Sequence, residues 1–106
     1  MKISILGTEY DFDESTAKED SRLSENDGYH DGYAKIIRVE KDYNENHPFS
    51  IQDWDEFKKS IKRHEIVHAF LFESGARKEC ENEQLVDWIA TQFPKMLKAF
   101  QETDCI

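Results

Sequence analysis

The run WDEFKKSIKRHEIVHAFL, residues 54–71, decides how this chain is read. Trp54, Phe57, Ile61, His64, His68 and Leu71 recur at spacings of three and four, the repeat of one face of an α-helix. Within it stands His64-Glu65-Ile66-Val67-His68, an H-E-x-x-H pattern. Residues four apart stack on one helical face, so both imidazoles point the same way and Glu65 is displaced beside them. Two neutral imidazoles with a carboxylate next to them suit a metal ion that keeps one position open. The plain alternative is a pair of core-facing, hydrogen-bonded histidines. Burying two imidazoles without partners is costly, and a metal satisfies both at once. Lys62 and Arg63, just before the motif, read as the solvated flank of the helix.

Local signals bound this helix. Ser50 followed by Asp53 resembles a capping box, and Gly75 after Phe72-Glu73-Ser74 suits a C-terminal cap. A short charged loop leads to Asn82, which can cap a second helix carrying Leu85, Val86, Trp88, Ile89 and Phe93. Pro94 should kink or interrupt that helix. Met96, Leu97 and Phe100 extend its apolar stripe. Glu83 and Asp87 are four apart and share a face, with Ala90 nearly a turn further on. Glu83 falls in the first turn, where the helix dipole favours an ionised carboxylate. Read alone, the pair is two solvated carboxylates; read with the upstream histidines, it supplies a third metal ligand.

The first half reads as β structure and loops. Residues 2–6 alternate Ile3 and Ile5 with Lys2 and Ser4, and Gly7-Thr8 can turn the chain into Glu9-Tyr10-Asp11-Phe12, where Tyr10 and Phe12 share a face. Residues 13–27, rich in Asp, Glu and Ser, read as a loop. Asp27-Gly28 and Asp31-Gly32 are turn signals on either side of Tyr29-His30. Tyr33 to Val39 reads as a strand, and Asp42 to Pro48 as a polar connector. The strand at 33–39 is a candidate to pair with an extended peptide.

The two helical motifs together, His64-Glu65-x-x-His68 and Asn82-Glu83-x-x-x-Asp87, resemble those of the gluzincins, whose second motif is N-E-x-x-x-D. The nearest pattern is that of the ImmA/IrrE family of compact bacterial and phage metallopeptidases, H-E-x-x-H followed by E-x-x-A-[ND]-x-F-A. Its counterpart here is Glu83-Gln84-Leu85-Val86-Asp87-Trp88-Ile89-Ala90, with Val86 where the family often has Ala. The likeness covers roughly residues 28–100. It implies a zinc ion held by His64, His68 and Glu83, with Glu65 as general base and Asp87 hydrogen-bonded to His64. In a strict antiparallel hairpin the short loop from Gly75 to Asn82 would bring Asp87, rather than Glu83, level with His68. The two carboxylates would then exchange roles.

Composition narrows the function classes. The chain has 106 residues and a formal net charge of −9, with 38% hydrophobic and 35% charged residues. That length is one domain spanning residues 1–106. There is no basic excess to replace nucleic-acid counterions, so no nucleic-acid partner is expected. The acidic excess serves solubility, or a basic protein partner, or mimicry of DNA. No apolar run reaches the length of a membrane span, and the N-terminal residues show no secretory signal, so a cytoplasmic location is expected. Cys80 and Cys105 form no C-x-x-C and read as free thiols. Cys80 is near enough to the motif to be weighed as an adventitious ligand.

The expected fold is α+β: a small antiparallel sheet beside two main helices that carry a zincin-type metal site. The expected chemistry is zinc-assisted hydrolysis of a peptide bond in a specific intracellular protein. His30, Tyr29 and Tyr33 are candidate donors to the developing oxyanion. The competing expectation is a non-catalytic acidic module, stapled by zinc, that binds a repressor or a host defence protein. Glu65 argues for the enzyme, since a purely structural site needs no base beside its ligands.

Overall fold

Alternation of apolar and polar residues ends at Ile5, and the chain reverses through Leu6 and Gly7, both at positive φ. The computed structural model, which describes residues 1–42 and 52–106, shows a mixed four-stranded sheet packed against helices. β1 (Lys2–Ile5) and β2 (Thr8–Ser15) form the opening hairpin, closed by the Ile5–Thr8 pair. The two-residue turn is thus Leu6-Gly7, one residue before the Gly7-Thr8 read from sequence. Two consecutive positive φ values match the right-handed twist of the flanking strands.

The segment read as a loop over 13–27 is only partly one. Residues 13–15 complete β2, and Ser21–Ser24 form a short 3-10 turn whose Leu23 is fully buried. Asp20 caps that turn by accepting from the backbone N–H of Arg22 at 3.1 Å. The chain then enters β3 (Gly28–Asp31), turns through residues 32–35, and returns as β4 (Ile36–Glu40). Asp31 Oδ1 accepts from the N–H groups of Tyr33 and Ala34, which fixes the reversal and takes residues 33–35 out of the expected strand.

Strand order is β1-β2-β4-β3. β4 inserts between β2 and β3, parallel to β2 and antiparallel to β3. The sheet is therefore mixed and not antiparallel throughout. The stretch 16–27 carries the chain past a vacant strand position, and the β3–β4 hairpin then folds back into it. Asp27-Gly28 is accordingly no hairpin turn. Gly28 opens β3, and a Cβ there would stand 2.8 Å from Ile61 Cγ2 and 3.0 Å from the Arg38 carbonyl.

Asp53 caps α1 (Trp54–Glu73), accepting from the backbone N–H of Glu56. Ser50 and the connector beyond Asp42 lie outside the described residues. The helix ends at Ser74, and Gly75 follows at φ 88°, the position expected of a terminating glycine. Ile5, Tyr10, Ile37 and Ala69 form the core, with Ile3, Phe12 and Ile66 packed around it. Leu71, expected on the inward stripe, lies instead with Val67 and Phe70 in an apolar groove between α1 and α3. No helix among the described residues is long and apolar enough to cross a membrane.

After the short α2 (Arg77–Cys80), Asn82 caps α3 (Glu83–Glu102) by accepting from the Leu85 N–H. Val86 and Ala90 are its buried positions. Pro94 does not interrupt the helix. Its ring nitrogen has no hydrogen for the carbonyl four residues back, that of Ala90. Arg63 Nε donates to that oxygen at 2.7 Å. Arg63 is thus no solvated flank; it replaces a missing helical hydrogen bond and ties α1 to α3.

Arg63→Ala should cost about 1–3 kcal/mol, the range for leaving a buried acceptor unpaired. In a Pro94→Ala background the loss should shrink by about 1 kcal/mol, because residue 94 then donates to the same carbonyl. Urea denaturation of the four proteins measures the coupling. An equal cost in both backgrounds would mean that Arg63 stabilises the fold some other way.

Candidate metal centre

One turn of α1 separates His64 from His68, and both imidazoles face the N-terminal turn of α3. Glu83, the first residue of α3, reaches between them: Oε2 is 2.9 Å from His64 Nε2 and Oε1 is 3.1 Å from His68 Nε2. The two Nε2 atoms are 3.2 Å apart. These three residues could hold a metal ion. Ligand atoms bonded at about 2.0–2.1 Å to a tetrahedral centre stand roughly 3.3 Å from one another, so the spacing fits.

The outer partners of the rings sharpen the argument. Asp87, one turn beyond Glu83, lies 2.9 Å from His64 Nδ1. A carboxylate only accepts, so Asp87 favours a proton on Nδ1; with that proton in place, a cation between His64 and Glu83 would meet the Nε2 lone pair. Behind His68, Cys80 donates its thiol hydrogen to the His68 carbonyl at 3.3 Å, and its sulfur lies 3.7 Å from His68 Nδ1. The second imidazole is thereby set in the same tautomer. Two lone pairs and a carboxylate converge on one point, an arrangement of acceptors alone that calls for a cation or a proton.

Glu65 stands beside this point, its Oε1 4.0 Å from His64 Nε2. It is only 6% exposed, and its Oε2 is buried with no hydrogen-bond partner. Burial pushes its carboxyl up to about 7; nearby His64 opposes the rise and Glu83 adds to it. The close seat of Gly28 on α1 produces that burial, since a Cβ at Gly28 would also meet Glu65 Cγ at 3.2 Å.

The centre opens into a cleft of about 510 Å³ lined by α1, the start of α3, β3 and residues 25–27. His64, Glu65, His68, Glu83, Asp87, Tyr29 and His30 all line it; Tyr33 does not. Tyr33 is 85% exposed and packs edge-on against Phe72. The Tyr29 hydroxyl is held by Asp20 and Arg22. His30 stacks parallel to His68, ring centres 6.3 Å apart. Its Nε2 meets the Tyr10 hydroxyl at 3.1 Å, and that hydroxyl gives its own hydrogen to Glu73 at 2.6 Å. His30 must therefore donate from Nε2, which leaves Nδ1 an acceptor. Burial, and then the nearness of the His68 imidazole, bring its pKa down to about 4, so the ring is neutral near pH 7. In that state Nδ1 offers nothing to an oxyanion.

Cys80 and Arg63 are the residues whose roles sequence reading missed. Cys80 was weighed as a ligand, yet its sulfur sits on the Nδ1 side of His68, away from the converging acceptors. Its place two residues before the Asn82 cap is a signal of a corner packed on α1. Pro94 signalled an open carbonyl at Ala90 and hence the need for a donor. Comparison with protein-family models, curated proteins and solved structures found no match.

Titration with Zn²⁺ against a chelating dye should give one site in the wild type and none in His64→Ala or Glu83→Ala. Asp87→Asn should keep the site with about 10–100-fold weaker affinity, as expected for a partner that orients a ligand. Retention in Glu83→Ala with loss in Asp87→Asn would exchange the two carboxylates. The raised pKa of Glu65 gives a second outcome in chelator-treated protein. Below the ordinary carboxyl range both folded and unfolded chains hold the proton, and its contribution to stability is complete. That contribution is lost as pH rises through about 7. Glu65→Gln should thus gain on wild type by up to about 3 kcal/mol between pH 4 and pH 8. Parallel stability curves would show that Glu65 ionises as freely as in water.

Proposed function

We propose that this chain is a zinc-dependent peptidase of the gluzincin type. The observation that carries the reading is the convergence of His64 Nε2, His68 Nε2 and Glu83 with the unpartnered Oε2 of Glu65 beside them. A purely structural site needs the first three and has no use for the fourth. Cys80 has its sulfur on the Nδ1 side of His68, away from the converging Nε2 atoms, and is not placed to act as a fourth ligand.

Held by His64, His68 and Glu83, a zinc ion would supply Lewis acidity for a scissile carbonyl and a water molecule. Glu65 would be the general base, accepting a proton from the attacking water at Oε2 and returning it to the leaving amine. A carboxyl with a value near 7 can both accept and release a proton under physiological conditions. Asp87 and Cys80 hold the two imidazoles with their lone pairs inward. An extended substrate aligns on β3, the edge strand that lines the cleft. The strand around 33–39 cannot serve, because β4 is hydrogen-bonded on both sides. The substrate is a specific protein in the cytoplasm; two free thiols, Cys80 and Cys105, are consistent with that compartment. Neither nucleic acid nor membrane is a partner in this reading.

One feature favours the rival reading of a zinc-stapled interaction module. The groove between α1 and α3, about 440 Å³, is lined by apolar side chains such as Ile66, Val67, Ile89 and Phe93. Such a surface is a usual place for a protein partner.

Glu65→Gln should keep the fold and one zinc while losing turnover by about 10²–10⁴-fold, since only proton transfer is removed. Used as bait in cells, it should retain a protein that wild type cleaves. If every retained partner stays equally intact with both proteins, and both serve equally well in the cell, the interaction module is the correct reading.

A further inference from the structure

β3 is an end strand of the sheet, and its ladder with β4 engages alternate residues. Glu40 donates to the Asp27 carbonyl at 2.9 Å, one step beyond the pairing of Gly28 with Val39. Residues 27, 29 and 31 therefore turn their main-chain groups to β4, while Gly28 and His30 turn theirs to the open edge. The His30 side chain rises from that edge on the face of the sheet that meets α1, where its ring stacks on His68. His30 thus borders the cleft with main chain and side chain alike.

The contacts behind the ring fix what it offers. Lys35 Nζ and the Tyr10 hydroxyl both donate to Glu73 Oε2, at 2.7 and 2.6 Å. These two bonds hold the Glu73 carboxyl below its usual range, so it has no proton to return. The Tyr10 oxygen is left to accept from His30 Nε2 at 3.1 Å, and Nδ1 carries the lone pair. Nδ1 has no partner among the described residues, and it is not sealed from solvent as Glu65 Oε2 is. Nor does it belong to the group that could hold a metal, which is His64, His68 and Glu83. An open acceptor in this place repels carbonyl and carboxylate oxygens and is satisfied by an N–H.

We infer that His30 binds substrate: its Nδ1 accepts a hydrogen bond from a main-chain N–H beside the cleaved bond, and a residue lacking that N–H, such as proline, is refused there. This rests on the peptidase reading for a peptide as the ligand. The role is the reverse of an oxyanion donor's. Tyr10, Glu73 and Lys35 act through His30 as positioning residues, each passing a fixed hydrogen direction to the next. Selection follows because a ligand without the N–H strips water from Nδ1 and leaves it unpaired.

The test uses the zinc-loaded full chain at pH 8, where an imidazole of ordinary value, about 6.5, is uncharged. The probe is an uncleavable phosphinic hexapeptide of alanines, whose phosphinate grips zinc in place of the cleaved bond. In a set of analogues each main-chain N–H in turn becomes an ester oxygen. Calorimetry should find one analogue, altered next to the phosphinate, bound at least about fivefold more weakly than its parent. That penalty should vanish in His30→Phe, which keeps a ring against His68 and removes the acceptor. Nitrogen NMR of the wild type gives a reading independent of that variant. His30 should hold its proton on Nε2, and its Nδ1 resonance should move upfield with the parent probe and stay in place with the weakened analogue. A proton on Nδ1, an unmoved Nδ1 resonance, equal binding of all analogues, or an equal penalty in wild type and His30→Phe overturns the inference and leaves the peptidase reading standing. A chain that binds neither zinc nor the probe overturns the peptidase reading and the inference with it.

Discussion

The hydrogen bond from Arg63 to the Ala90 carbonyl holds the antiparallel contact between α1 and α3, and the candidate metal centre exists only because of that contact. His64 is the next residue after Arg63, and Glu83 lies two turns before Ala90. Both ligand-bearing helices are therefore fixed to each other at a point about two turns along α3 from Glu83. Val86 and Ala90 supply the buried packing that brings the backbones close, and the small side chain of Ala90 leaves its carbonyl reachable. The donor-less ring of Pro94 makes that carbonyl available. A residue that ordinarily breaks a helix thus creates the acceptor through which two helices are joined.

Behind the centre lies a second layer of polar contacts. Tyr10 is fully buried in the core, yet its hydroxyl is satisfied on both sides, by Glu73 and by His30. Lys35 meets the same Glu73 oxygen at 2.7 Å. This chain of contacts runs from the C-terminal end of α1 to the ring stacked on His68, so the sheet grips the metal-facing imidazole through side chains on β2, β3 and the β3–β4 turn. Burying so many polar groups is tolerable because each finds a partner. Glu65 Oε2 finds none, as is also true of Glu40 Oε2 away from the centre, so it is the position of the Glu65 atom beside the converging groups that sets it apart.

What the sequence disclosed follows the range of the interactions. The helices, Asn82 as a cap and Gly75 as a terminator were legible because each depends on neighbours within a turn. His64, Glu65 and His68 belong to the same class: one helical turn sets their relation. The strands were legible as segments, but their order was not. The parallel pairing of β2 with β4 depends on a hairpin further along the chain, with β4 lying between β2 and β3, and no local pattern records it. The same limit explains the reading of Gly28 as a turn. Its lack of a side chain serves an approach to Ile61 and Glu65, more than thirty positions away. Whether Glu83 or Asp87 would meet the histidines depended on how two helices cross. The side of His68 on which Cys80 would fall was hidden for the same reason.

The division of the chain into a sheet half and a helical half has a consequence for how such a centre can change. Every atom that converges on the candidate metal position comes from residues 64–83, inside one helical hairpin. The environment that lifts the Glu65 carboxyl toward neutrality is completed by β3, from the other half, where Gly28 closes over it. Cation affinity and proton-transfer capacity are thus written in different stretches of sequence. Drift in the strands would alter the setting of Glu65 while leaving His64, His68 and Glu83 where they are, and drift in the hairpin would do the reverse, so the fit of a single edge strand governs one property and not the other.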